Sequence, residues 1–177
     1  MNYGSVGYLI GHEITHGFDD EGSQRDANGA VRDWWDSETK ESFRNRTACL
    51  IRQYSGYEVP NTGGLHVKGA MTIGENMADN GGLKIAYRAF DSYVGKNSHN
   101  ESFSEEFTPA QLFFISFAQT WCGQMTNDAA VREVLTDTHS PLRFRINGAL
   151  VNRPEFAEVF KCPLGSAMNP AEKCQVC

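Results

Sequence analysis

At 177 residues, with 40% hydrophobic and 21% charged side chains, the chain has the make-up of one globular domain or part of one. A net charge of −6 and the lack of any basic tract argue against nucleic acid as a partner. No apolar run is long enough to span a bilayer, so no membrane contact is expected from this segment itself. There are no internal repeats or low-complexity tracts. In chain order, residues 5–18 read as a helix that carries two histidines. Residues 19–29 form a polar, glycine-containing loop with turn chemistry. Residues 37–54 read as a helix capped by Asp36 or Ser37. Residues 55–68, rich in glycine and with a proline, suit a loop or a loose hairpin. Residues 72–94 read as a long helix broken in character at Gly81-Gly82, and 96–107 as a polar loop. Thr108-Pro109-Ala110-Gln111 has the pattern of a capping box with proline in the first turn. The run that follows, to Cys122, is apolar almost all round and is expected to be buried. Shorter helices are expected at 128–136, 144–151 and 154–160. Strand signals are few, so the chain is expected to be mainly α.

The most specific chemistry lies in the first of these helices. His12-Glu13-Ile14-Thr15-His16 is a His-Glu-x-x-His motif. Residues four apart on a helix share one face, so both imidazoles can reach one ion. Glu13 lies one position round, close to a metal-bound water without being a ligand. A hydrolytic zinc site needs a third protein ligand and an open position. Glu75 on the 72–94 helix is the candidate, with Asp79 one turn later on the same face. Asp79 is placed to accept the N–H of a ligating imidazole, that of His12. Read by itself, the Glu75–Asp79 stretch is also an ordinary acidic helix face.

Other candidates have blander readings. His66 and His99 lie in polar loops and are expected to be solvated. Trp34-Trp35, Phe113-Phe114 and Trp121 are expected in the core. The cysteines are spread along the chain, and only Cys174-Gln175-Val176-Cys177 brings two close together. That pair has no neighbouring ligands for a second zinc site, and it matches a prenylation box only loosely. Two N-glycosylation sequons, Asn45-Arg46-Thr47 and Asn100-Glu101-Ser102, lean with the cysteines towards an oxidising, secretory setting.

The sequence resembles the neprilysin and endothelin-converting enzyme metallopeptidases. The resemblance is carried by NYGSVGYLIGHEITHGFDDEG at 2–22, VRDWWDSET at 31–39, GENMADNGGLKIAYRAF at 74–90, QLFFISFAQTWCG at 111–123 and DTHSPLRFRINGALVNRPEF at 137–156. It implies a mainly α fold, the C-terminal part of a thermolysin-like (gluzincin) catalytic domain over 1–177. The upstream sheet, substrate-holding strand and capping domain would be absent, and Met1 would be an artefact or an alternative start. It implies one Zn2+ per chain held by His12, His16 and Glu75, with Glu13 as general base and Asp79 behind a ligand. His139, alone a plausible loop histidine, would donate to the oxyanion of the tetrahedral intermediate. Such a donor is worth about 3–4 kcal/mol. Asp137 is placed to orient His139. Arg145 would bind a substrate carbonyl beyond the scissile bond. Tyr8, Leu9 and Trp121 with Thr120 would lie near an apolar pocket for the residue after the cut, although the family more often has smaller or aliphatic residues at positions 8 and 120.

The implied activity is zinc-dependent endopeptidase cleavage of small peptides on the amino side of apolar residues. The site would face the extracellular side of the plasma membrane or be secreted. A second reading is a truncated, catalytically inactive zinc-binding or decoy module. The resemblance also implies a Cys49–Cys174 disulfide, and upstream partners for Cys122 and Cys162. At position 177 a cysteine stands where the family usually ends in tryptophan.

Overall fold

The computed structural model describes residues 1–96 and 104–175; His99, the Asn100 sequon and Cys177 fall outside them. Among the described residues seven α-helices follow one another: α1 Tyr8–Thr15, α2 Ser37–Ser55, α3 Ile73–Lys96, α4 Pro109–Thr120, α5 Asn127–Thr136, α6 Leu142–Leu150 and α7 Pro154–Val159. A π-helical turn, Tyr3–Gly7, leads into α1, and a 3-10 turn, His16–Phe18, follows it. Among the described residues there is no extended strand, only isolated bridges such as Glu58 to His66. That bridge belongs to a loose hairpin, in which Val59 N–H donates to the Leu65 carbonyl at 2.8 Å and Val67 N–H to that of Tyr57 at 3.0 Å.

Local sequence explains several of the helix starts. Asp36 caps α2 by accepting from Thr39 N–H at 2.7 Å. At α4 the capping box is complete: Gln111 N–H donates to Thr108 Oγ1 at 3.2 Å, and Thr108 N–H to Gln111 Oε1 at 2.8 Å. Thr126 caps α5 with a single bond, its Oγ1 accepting from Ala129 N–H at 3.3 Å. α6 begins at Leu142, two residues ahead of the expected start, because the Pro141 carbonyl already accepts from Phe144 N–H at 2.7 Å.

The expected break at Gly81-Gly82 does not occur, and α3 runs straight through it. The glycines serve contact between helices. α1 crosses α3 so closely that a Cβ on Gly82 would lie 2.5 Å from the His12 nitrogen, and one on Gly11 would lie 2.9 Å from the Gly82 carbonyl oxygen. Two helix backbones can approach this closely only where neither has a side chain.

Two apolar clusters flank α3. One joins α2, α3, α5 and α6 through Leu50, Tyr54, Met77, Val134 and Phe144. The other joins α1, α3, α4 and α6 through Tyr8, Leu83, Phe113, Phe114, Phe117 and Leu150. Phe113 and Phe114 are core residues as expected. Trp34 is not, since it is 47% exposed. Its ring stands T-shaped to that of the half-buried Trp35, which in turn packs on Phe43. The Cys49–Cys174 disulfide ties the C-terminal segment to α2 across 125 residues, and Asn152 Oδ1 accepts from Cys174 N–H beside it. On its outer side α1 exposes Ile10 and Ile14, and the turns before and after it continue this apolar row with Val6 and Phe18.

Candidate metal centre

α1 and α3 meet face to face, and their contact brings the sequence-distant ligands together. His12 Nε2 and His16 Nε2 are 3.1 Å apart. Glu75, from the first turn of α3, lies 3.2 Å from His12 Nε2 through Oε2 and 3.7 Å from His16 Nε2 through Oε1. The three ligand atoms all lie within 4.8 Å of one another. Glu75 Oε2 is buried without a hydrogen-bond partner. A shielded carboxylate oxygen facing imidazole nitrogens is the environment a cation satisfies, and two nitrogens and one oxygen are a donor set that suits catalytic zinc. The residues therefore fit the ion. Burial opposes charge on Glu75, yet His12, His139 and His16 outweigh it and keep its carboxyl below the usual range.

Both imidazoles are backed by carboxylates. Asp79, fully buried, lies 2.9 Å from His12 Nδ1 through Oδ1. His16 Nδ1 is 2.6 Å from Asp19 Oδ2. The other Asp19 oxygen accepts from the Glu21 and Gly22 N–H groups at 2.9 and 2.7 Å. Asp19 opens the stretch whose sequence reads as a polar loop. Its position three residues after His16, one helical turn on, is the signal that marks it. Burial works against charge on His12, but Asp79 and Glu75 prevail and lift its pKa to about 9. A proton there competes with a cation for the ring.

Asp79 has a second task that the sequence did not show. Arg145 on α6 forks onto it, Nε to Oδ2 at 2.9 Å and Nη2 to Oδ1 at 2.7 Å. The Tyr8 hydroxyl also donates to Oδ1. Burial would push the Asp79 carboxyl up, but His12, Arg145 and Tyr8 hold it low. The Arg145 guanidinium lies over the Trp121 ring at 3.8 Å. The Trp121 indole N–H closes the ring of contacts by donating to the Tyr8 hydroxyl at 3.1 Å. Tyr8, expected near an apolar pocket, is fully buried. Leu9 and Trp121 are half-buried against the aromatic cluster.

His139 reaches the same centre from the loop before α6, with Nε2 3.3 Å from Glu75 Oε2. Asp137 Oδ1 accepts from the His139 backbone N–H at 2.8 Å and lies 2.8 Å from ring Nδ1. The backbone N–H bond leads in holding the Asp137 carboxyl below its usual range. Glu13 is exposed beside the ligand histidines. His66 is exposed, as expected of a loop histidine.

Two histidines one turn apart, a glutamate from the facing helix and carboxylates behind both imidazoles form a candidate metal centre of the His-Glu-x-x-His type with glutamate as the candidate third ligand. The chain belongs to peptidase family M13, whose sequence pattern matches residues 1–176. It is 50% identical over 179 residues to neprilysin-1 of Caenorhabditis elegans, covering 99% of this chain and 24% of that protein. It is 48% identical over 177 residues to human endothelin-converting enzyme 1, covering 99% of this chain and 23% of that protein. Among solved structures, the Mycobacterium tuberculosis zinc metalloprotease Zmp1 with an inhibitor matches at a TM-score of 0.91 and 37% identity, over 98% of this chain and 27% of that one. The Haemonchus galactose-containing glycoprotein complex matches at 0.90 and 38%, over 99% and 29%. The chain thus spans about a quarter of the length of the curated relatives it matches.

Proposed function

We propose that the chain is the C-terminal portion of the catalytic domain of a zinc-dependent metalloendopeptidase that cleaves small peptides on the amino side of apolar residues. The convergence of His12, His16 and Glu75 within 4.8 Å is the observation that carries this reading. One Zn2+ per chain would be held by these residues, and it would supply Lewis-acid polarisation of water and of the scissile carbonyl. Glu13 takes a proton from the attacking water and returns it to the leaving amine. His139 donates to the oxyanion, and Asp137 holds its ring. Arg145, braced by Asp79 and Trp121, directs its remaining donors to a substrate carbonyl. Leu9 and Trp121 contribute to the apolar pocket, with Tyr8 supporting it from behind.

The apolar outer face of α1 and the quarter-length match to relatives support a larger parent domain that covers this face. The Cys49–Cys174 bridge supports an oxidising location, at the extracellular face of the plasma membrane or secreted. Among the described residues no helix is long and apolar enough to cross a membrane.

The test is Glu13→Gln in the full-length polypeptide. Turnover of a short peptide with an apolar residue after the cut should fall about a thousandfold, with zinc still bound. Activity close to that of the parent would refute the role of Glu13. The exposed α1 face favours a second reading for the segment by itself, zinc binding without turnover. The same assay on the isolated chain distinguishes the two.

A further inference from the structure

The residue after the metal-ligating Glu75 has no part in the chemistry above, yet it is completely buried. Asn76 leaves α3 on a different side from Glu75 and spends its amide on two contacts. Nδ2 donates to Thr72 Oγ1 at 2.8 Å, and Oδ1 accepts from Ser140 Oγ at 2.6 Å. Asn76 and Ser140 both have no exposed surface. Ser140 directly follows His139 in the chain, so the bond ties the His139 loop to the same turn of α3 that presents Glu75. The Asp137 contacts orient the His139 ring only within its own loop. The other end of α6 is held separately, where Asn152 Nδ2 donates to Asn80 Oδ1 at 2.9 Å and Gly148 packs against the Tyr54 ring. Arg145 has its own anchor in Asp79.

We infer that Asn76 and Ser140 form a buried clamp that positions His139 over the metal centre, a reading that rests on the proposed oxyanion role of His139. Neither residue touches substrate; both are positioning residues. A hydrogen bond between two buried groups has no water to replace it, so its loss leaves one partner unsatisfied and the loop free to shift. A small displacement of a donor costs catalysis while leaving ground-state binding intact, because the oxyanion exists only after attack.

The experiment compares Ser140→Ala, Asn76→Ala, His139→Ala and the Ser140→Ala/His139→Ala pair in the full-length, zinc-loaded polypeptide. It reads kcat, KM and zinc affinity, together with calorimetric affinity for a phosphonate peptide whose tetrahedral anion mimics the intermediate. Ser140→Ala should lower kcat and phosphonate affinity about tenfold, with KM and zinc affinity unchanged. Asn76→Ala breaks the same bond from the other side and should match it. On a His139→Ala background, Ser140→Ala should add nothing. Unchanged kcat in folded Ser140→Ala or Asn76→Ala protein overturns the clamp, as do additive losses in the double variant. An unimpaired His139→Ala variant overturns the oxyanion role itself. It is told apart from failure of the clamp alone, in which His139→Ala is impaired and Ser140→Ala is not.

Discussion

The α1–α3 contact and the 137–145 segment converge on one centre but are built in opposite ways. α1 and α3 hold their groups on two helices pressed together backbone to backbone, with His12 buried and Asp79 completely so. The 137–145 segment presents His139 from a loop, its side chain 43% exposed, and Arg145 from a helix that borrows its anchor from α3. The difference matches the role proposed for each. Ligands to an ion have to be fixed before it arrives, since a loose site loses affinity. A donor to a developing charge has to reach into solvent space where substrate enters, and can be held by fewer contacts.

Four substitutions sharpen or break this contrast. Asp79→Ala strikes where the two regions join. It strands the Arg145 guanidinium in a buried site, and urea denaturation should show a loss of about 4 kcal/mol along with weaker zinc binding. A loss too small to measure would mean that the buried pair does not bind the two regions together. Gly82→Ala tests the close approach alone. Its Cβ would sit 2.5 Å from the His12 nitrogen, so the helices must separate, and a cost of about 3 kcal/mol is expected. Full stability would show that α1 and α3 can slide apart freely.

His139→Ala should leave stability and zinc affinity alone and reduce kcat about a hundredfold. Reduced zinc occupancy would instead make His139 part of the metal-holding region. The smallest effect is expected at Asp19→Ala, a loss of about tenfold in zinc affinity in a chelator competition. No change there would mean that His16 is oriented without its carboxylate.

Features that act within one turn of chain were legible in advance. The four-residue spacing of His12 and His16, the capping box at Thr108 and Gln111 and the Asp36 cap all depend on neighbours a few residues away. The Cys49–Cys174 bridge came from family resemblance, not from spacing. By propensity Gly81-Gly82 reads as an interruption, since glycine weakens a helix. The helix tolerates the pair because another backbone lies against it. Trp34 was misplaced because an aromatic pair suits either a core or a surface, and only the path of the loop between α1 and α2 leaves Trp34 in water.

The amino-acid sequence by itself determined the helical periodicities, the helix caps and the metal-binding residue types, since these are set by backbone geometry and side-chain chemistry over short spans. Tertiary structure alone decided that Asp79 also serves Tyr8 and Arg145, that Trp121 lies under the guanidinium, and that Asn76 holds Ser140. Asp79 lies more than sixty positions from Tyr8 and from Arg145, and Asn76 as far from Ser140. Their partners are selected by burial, because a polar group removed from water must find whichever complementary group the packed fold brings within reach.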